Sequence, residues 1–272
     1  FHPTGTSMGS GTTDLTSFDV GETHGCAVSS NSVICWGVAT DGQLGNGASA
    51  VTSRDPVSVT TVAGWTPLEV SVSTSSGSGG GTSCALYSSD STGDRRIMCW
   101  GDGSSGQLGD GGTASLASPS STDLVMLIDD PDSMWYSVTP LGASDGSETL
   151  SSSPYDVVEV SLSEIGKFGC ARSSQGHVKC WGYNAYGQLG HGNTSTASDG
   201  ENEMGEDLAF VPLGANRTAT SLSVGENHAC ALLDDGSVKC WGRNNYGQLG
   251  MGNTTQIGDG PNEMGDFLAA VD

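Results

Sequence analysis

Cations are scarce in this 272-residue chain: 9 Lys and Arg stand against 31 Asp and Glu, a formal net charge of −22. A surface that acidic repels phosphate backbones and anionic headgroups, so neither a nucleic acid nor a membrane surface is an expected partner. Apolar runs are short, and none approaches the roughly 18 to 20 residues of a membrane-spanning helix. The sequence opens at Phe1 without a charged-then-apolar leader, so any secretory signal lies outside it. No segment sustains a period of 3.6, which argues against a helical fold. C-x-x-C knuckles are also missing, and with them the usual zinc spacing in a chain with 8 cysteines.

Glycine, by contrast, is plentiful, at 42 residues. Short apolar stretches punctuated by Gly, Asn, Asp and Ser predict many short strands joined by tight turns, an all-β fold. Repetition organises them. Each of Trp36, Trp100, Trp181 and Trp241 lies in a CWG triplet, and in every case a GQLG motif begins six residues later, at Gly42, Gly106, Gly187 and Gly247. The tryptophans recur at intervals of 64, 81 and 60 residues. We read one array over 1–272, with repeats at about 12–63, 64–125, 156–214 and 215–272 and an insertion at 111–156.

Each repeat reads as a hairpin. In the fourth, Cys230–Leu233 and Ser237–Cys240 flank Asp234-Asp235-Gly236, a loop that fits a type I turn with a left-handed glycine. Counting outward places Cys230 opposite Cys240. The same count places Cys170 opposite Cys180, Cys26 opposite Cys35 across Ser30-Asn31, and Cys84 opposite Cys99. Opposed residues of antiparallel strands lie about 4.5 to 5.5 Å apart at Cα, within disulfide reach. Four intra-repeat disulfides are therefore expected, and with them an oxidising compartment and a secreted or cell-surface location.

The pattern H-x-C-A-L, G-x-V-x-C-W-G and then G-Q-L-G resembles the Regulator of Chromosome Condensation repeat family over nearly the whole chain. The resemblance implies a β-propeller of four-stranded blades, usually seven around an axis. It also implies burial of the CWG tryptophans between neighbours. Paired cysteines depart from the family's nuclear members, so their exchange-factor role is not carried over; the version here looks like the family's secreted repeats.

Catalytic patterns find little support. His24 and His228 share one repeat position, which fits packing better than chemistry, and His2, His177 and His191 complete no triad. The Gly77–Gly81 stretch has no following Lys and reads as a loop, not a phosphate cradle. Two acidic loops carry weak calcium candidates, Asp199, Glu201 and Glu203 in one and Asp259 and Glu263 in the other; no other cofactor or metal is expected. Asn193, Asn216 and Asn253 head N-x-Ser/Thr sequons, glycosylation acceptors if the source is eukaryotic. The expected function is a non-enzymatic extracellular structural or adhesive repeat protein, such as a section of a filament or surface assembly. The alternative is a soluble binding module or inhibitor that uses one propeller face. The expected partner is protein, foremost other copies of the chain. Asp266–Val271 reads as an edge strand that either pairs with Leu15–Val20 or completes the first blade of the next molecule.

Overall fold

The computed structural model describes residues 14–49, 52–74, 80–119, 157–165, 167–200 and 203–271. His2, Gly77 to Gly79, Glu201 and the insertion beyond residue 119 lie outside them. Strand after strand follows the hairpin logic of the repeats. The first sheet runs β1 (Leu15–Val20), β2 (His24–Ser29), β3 (Ser32–Gly37) and β4 (Ser53–Ser58), in that spatial order and antiparallel throughout. The second holds β5 (Trp65–Thr74), β6 (Gly81–Ser89) and β7 (Arg95–Gly101). The third holds β8 (Val157–Leu162), β9 (Phe168–Ser173) and β10 (Val178–Gly182). The fourth holds β11 (Ala219–Val224), β12 (His228–Leu233) and β13 (Val238–Gly242).

These four antiparallel sheets are the blades of a propeller-type array. In the last three the fourth strand shrinks to short bridges, such as Lys179 to Phe210 and Gly242 to Ile257. Two 3-10 turns, Gly205–Asp207 and Gly265–Phe267, are the only helical segments among the described residues. The hairpin registers place Cys26 opposite Cys35, Cys84 opposite Cys99, Cys170 opposite Cys180 and Cys230 opposite Cys240, and each pair is bonded at a Cα separation of 4.0 to 4.1 Å. Gly176 and Gly236 take the positive φ that the three-residue loops require, 82° and 83°.

The C-terminal expectation needs correction. Residues 265–267 form a 3-10 turn instead of a strand, Phe267 points to solvent, and the Val271 amide donates to the Val238 carbonyl at 2.8 Å. Val211 donates to Val178 and Val59 to Val33 in the same way. The segment thus completes its own blade at the outer edge of β13 and is not free for donation to another molecule. The physical reason is Lys239. Its ammonium donates to the carbonyls of Leu213 and Gly265, both at 2.8 Å, and holds the turn in place.

Candidate interaction surface

The CWG tryptophan and the GQLG glutamine of one repeat serve opposite faces of their blade, and each bonds to a neighbour where one is present. On the backward face, the Trp100 indole N–H donates to the Gln43 main-chain carbonyl of the preceding blade at 3.0 Å. Trp181 does the same to Gln107 at 3.0 Å, and Trp241 to Gln188 at 2.9 Å. On the forward face, each Gln folds its side-chain oxygen back onto a backbone amide two residues upstream, which fixes the loop and turns its carbonyl outward. The last glycine of GQLG lies beneath the indole: a Cβ at Gly45 would sit 2.6 Å from Trp100 Nε1, and at Gly190 2.9 Å from Trp241 Nε1. Any side chain there displaces the ring. These three tryptophans are 0 to 1% exposed.

A second seam joins the first strands. Asp19 accepts the Val72 amide at 2.8 Å and Ser17 the Val70 amide at 3.2 Å, so the first blade holds the second through β5. Ser71 accepts from Leu162 and Glu159 from Leu222, which repeats the arrangement at the next two junctions. Val70, Val160 and Leu222 lie buried along this seam. The seam also gathers carboxylates: burial, then Glu159 and Asp19, push the Glu69 carboxyl up to about 7 against the opposing pull of Arg172. Burial brings His24 down to about 4, with Asp19 opposing, and its Nε2 lies 2.9 Å from the Ser83 hydroxyl of the next blade.

Among the described residues, the outward faces of the first and fourth blades lack these partners. Trp36 is half-buried where its three equivalents are covered, so the expectation of four equivalent buried tryptophans holds for three. Phe18, the counterpart of Val70 and Val160, is 70% exposed; Val20 and Leu15 are 59% and 50% exposed. Leu15 and Phe18, with Ile34, Trp36, Pro56 and the one charged residue Arg54, line a largely apolar groove of about 480 Å³. At the opposite end Gln248 is half-buried and Gly250 exposed, whereas the other three copies of both residues are buried. Leu232 of β12 is 41% exposed.

The candidate site residues scatter. Glu203 accepts the amides of Asp199 and Gly200, and Glu263 those of Gly258 and Gly260, so each glutamate braces its own loop. No group of three or more His, Cys, Asp or Glu suited to a metal occurs among the described residues. Asn193, Asn216 and Asn253 are all exposed. Burial lowers the pKa of His191 and of His228, in the latter against Glu226.

Three features escaped the sequence reading. One is the Gln carbonyl as acceptor, flagged only by a Gln that recurs in all four GQLG motifs. Another is the pair Asn184 and Asn244, buried residues that donate to the sequon loops at Asn193 and Asn253 and accept from Leu189 and Leu249. The third is Lys179, buried with its ammonium 2.6 Å from the Gly205 carbonyl. Lys replaces Ile34 and Met98 at this position only in the two repeats that carry an E-M-G turn.

Comparison with known proteins places these features. Residues 166–188 and 219–248 match the Regulator of chromosome condensation (RCC1) repeat. The ultraviolet-B receptor UVR8 of Arabidopsis thaliana is 31% identical over 177 residues, 65% of this chain and 31% of that protein. Human WBSCR16 superposes with a TM-score of 0.60 at 19% identity, over 95% of this chain and 53% of that one. Prp20p of Saccharomyces cerevisiae, described with its binding to Gsp1p and histones, gives 0.54 at 16% identity over 84% and 43%. The chain thus spans about half or less of each.

Proposed function

This chain is a member of the RCC1-repeat family, whose propellers are protein-interaction modules, and from that premise we propose that it is an extracellular, non-catalytic interaction module working through a blade face. One observation carries the interaction reading: the large apolar side chains Leu15, Phe18 and Val20 are gathered, exposed, on one face built like the interior junctions. A patch of that kind marks a binding surface. The extracellular placement is supported by eight cysteines in four disulfides, with no free thiol. Reducing compartments do not sustain such a set. Protein binding, the property described for Prp20p, is what we transfer; its partners are not, because that likeness concerns fold alone. A structural or adhesive assembly remains the second reading, and the complementarity of the two end faces favours it.

Hydroxyl-radical footprinting of the protein in the fluid or on the surface where it is produced, against the purified chain, tests the proposal. Protection of Phe18 and Trp36 in place, lost on purification to monomer, is the expected result. Equal labelling in both settings, or recovery of the folded protein with alkylatable thiols, overturns it.

A further inference from the structure

We propose that a cleft at the junction of the third and fourth blades binds one neutral sugar ring, a hexopyranose stacked on tyrosine and held by an arginine, a lysine and a glutamate. The site is separate from the first-blade surface above and stands or falls without it. The loop after β8 brings Lys167, and the loop after β11 brings Glu226 and Asn227. The turns after β10 and β13 bring Tyr183, Tyr186 and Arg243. Together they line a cleft of about 240 Å³. That is just under the roughly 300–1,000 Å³ of drug-sized sites, so it suits a single ring.

The fold does not ask for these side chains. The position before GQLG carries Asp41 in the first blade and Ser105 in the second, but Tyr186 in the third. In all three the amide donates to the glutamine two residues on, at 2.7 to 2.9 Å, so the turn is indifferent to the side chain. The position after CWG carries Val38, Asp102 and Tyr183 before it carries Arg243. Here the substitutions meet. The Arg243 guanidinium lies 5.0 Å from the Tyr186 ring centroid, and Tyr183 stands edge-on to Tyr186 at 6.5 Å.

The polar groups select the ligand. Arg243 Nε is buried without a hydrogen-bond partner, and Nη1 comes no nearer than 4.0 Å to Glu226 Oε1. A buried guanidinium N–H without an acceptor is costly, and a ligand oxygen relieves it. Lys167 pairs with Asp102 at 3.2 Å, as Arg243 faces Glu226, so the charges cancel and the cleft draws no ion of either sign. At longer range the net charge of −22 repels anions. What remains is donors beside an acceptor, which suits hydroxyl groups that do both. The tyrosines suit the C–H face of a sugar ring, whose weakly positive hydrogens lie on the negative face of an aromatic ring.

Saturation-transfer NMR on the full chain tests this with the methyl glycosides of glucose, mannose, allose and galactose at millimolar concentration. Transfer to the ring C–H protons of at least one is expected. Tyr186→Ser and Arg243→Val place at these positions residues that the second and first blades already carry there, so the turns survive. Each is expected to weaken binding roughly tenfold with the urea midpoint unchanged, the loss of one stacked ring or one charged hydrogen bond. A trisaccharide ending in the bound sugar separates the sources: equal competition identifies a glycan terminus, and no competition identifies the free sugar. Transfer to none of the glycosides, or equal transfer in the native chain and both variants, overturns the proposal. Displacement of the glycoside by inorganic phosphate also overturns it, because the cleft is then an anion site.

Discussion

The three interior junctions and the two end faces are made of the same residues, yet they differ in nearly every physical property. Trp181 is buried and bonded where Trp36 is half-open; Gln107 is covered where Gln248 is not. His24 is 3% exposed against its neighbour blade, while its repeat equivalent His228 is half-buried. Burial in this fold is a property of the pair of blades and not of the residue. A repeat that cannot bury its apolar face alone acquires its core from the next one.

Tryptophan truncation breaks the comparison most strongly. Trp181→Ala is expected to cost about 3–5 kcal/mol, since it opens a cavity and strands the Gln107 carbonyl. Trp36→Ala is expected to cost less than half as much in the monomer, because no carbonyl is stranded and water already reaches the ring. Urea unfolding of the two variants checks this, and equal losses would dissolve the distinction between junction and end.

The disulfides sharpen it next. Cys170–Cys180 and Cys230–Cys240 both span 10 residues, so the chain-entropy contribution is the same for each, about 2–3 kcal/mol. Their surroundings differ: Cys170 and Cys180 are 0% exposed, while Cys230 is half-buried on the open forward face. Under mild reductant the Cys230–Cys240 bridge should therefore open first, before global unfolding. Timed alkylation with peptide mapping reads the order, and simultaneous loss of both bridges would count against an exposed fourth face.

How far the sequence speaks follows the same division. Disulfide partners and hairpin register were legible because they depend on residues 9 to 15 apart, whose pairing a turn dictates. Asp266–Val271 was misread as strand because its apolar Phe267 and Leu268 look like an edge, whereas the force that sets the turn at Gly265–Phe267 is an ammonium reaching from Lys239, 26 residues away from Gly265. The acidic loops looked like cation ligands because composition cannot show that Glu203 and Glu263 spend their oxygens on local amides. The openness of Trp36 was illegible for a like reason: burial at this position is supplied by a neighbouring blade face, which the residue's own repeat does not encode.

Protonation separates the junction from the end more gently. His24 has a folded pKa of about 4 against an ordinary value of 6.5, set by burial beneath the second blade. Above pH 6.5 both folded and unfolded states hold it neutral, and it makes no pH-dependent contribution. As pH falls below 6.5 the unfolded chain takes up a proton that the folded one refuses, so stability declines until about pH 4, by about 3 kcal/mol. Glu69 runs the other way: raised to about 7 from 4.5, it favours the folded state most below pH 4.5 and loses that advantage as pH rises to 7. Between pH 4.5 and 6.5 the two slopes oppose. His24→Gln should remove the His24 share of the acid-side loss and leave that of His191 and His228, so that stability declines less than in the native chain as pH falls from 6.5 to 4.5. Denaturation midpoints at half-unit pH steps decide it; an unchanged profile would remove His24 from the account.

The smallest effect concerns the sequon loops, where the sequon's acceptor residue and the loop brace are one asparagine. Asn253 Oδ1 accepts the Thr255 amide at 2.8 Å, and its main-chain carbonyl takes a hydrogen bond from the buried Asn244 at 3.1 Å. Asn193 repeats both contacts with Ser195 and Asn184, at 2.8 and 2.9 Å. Replacing the asparagine therefore removes two things at once. Thr255→Ala removes only one: it destroys the acceptor sequence but keeps the Thr255 amide and the Asn253 side chain that caps it. In a eukaryotic secretory host, Thr255→Ala is expected to lose one glycan by intact mass with stability unchanged within about 0.5 kcal/mol. Asn253→Gln is expected to lose the same mass and in addition about 0.5–1 kcal/mol, the net worth of a loop hydrogen bond. The bond survives in the first variant and not in the second, so the difference in stability between the two measures the brace alone. Identical stabilities would show that the loop is held by Asn244 without help from the sequon residue. An unaltered mass in both would show that the position carries no sugar.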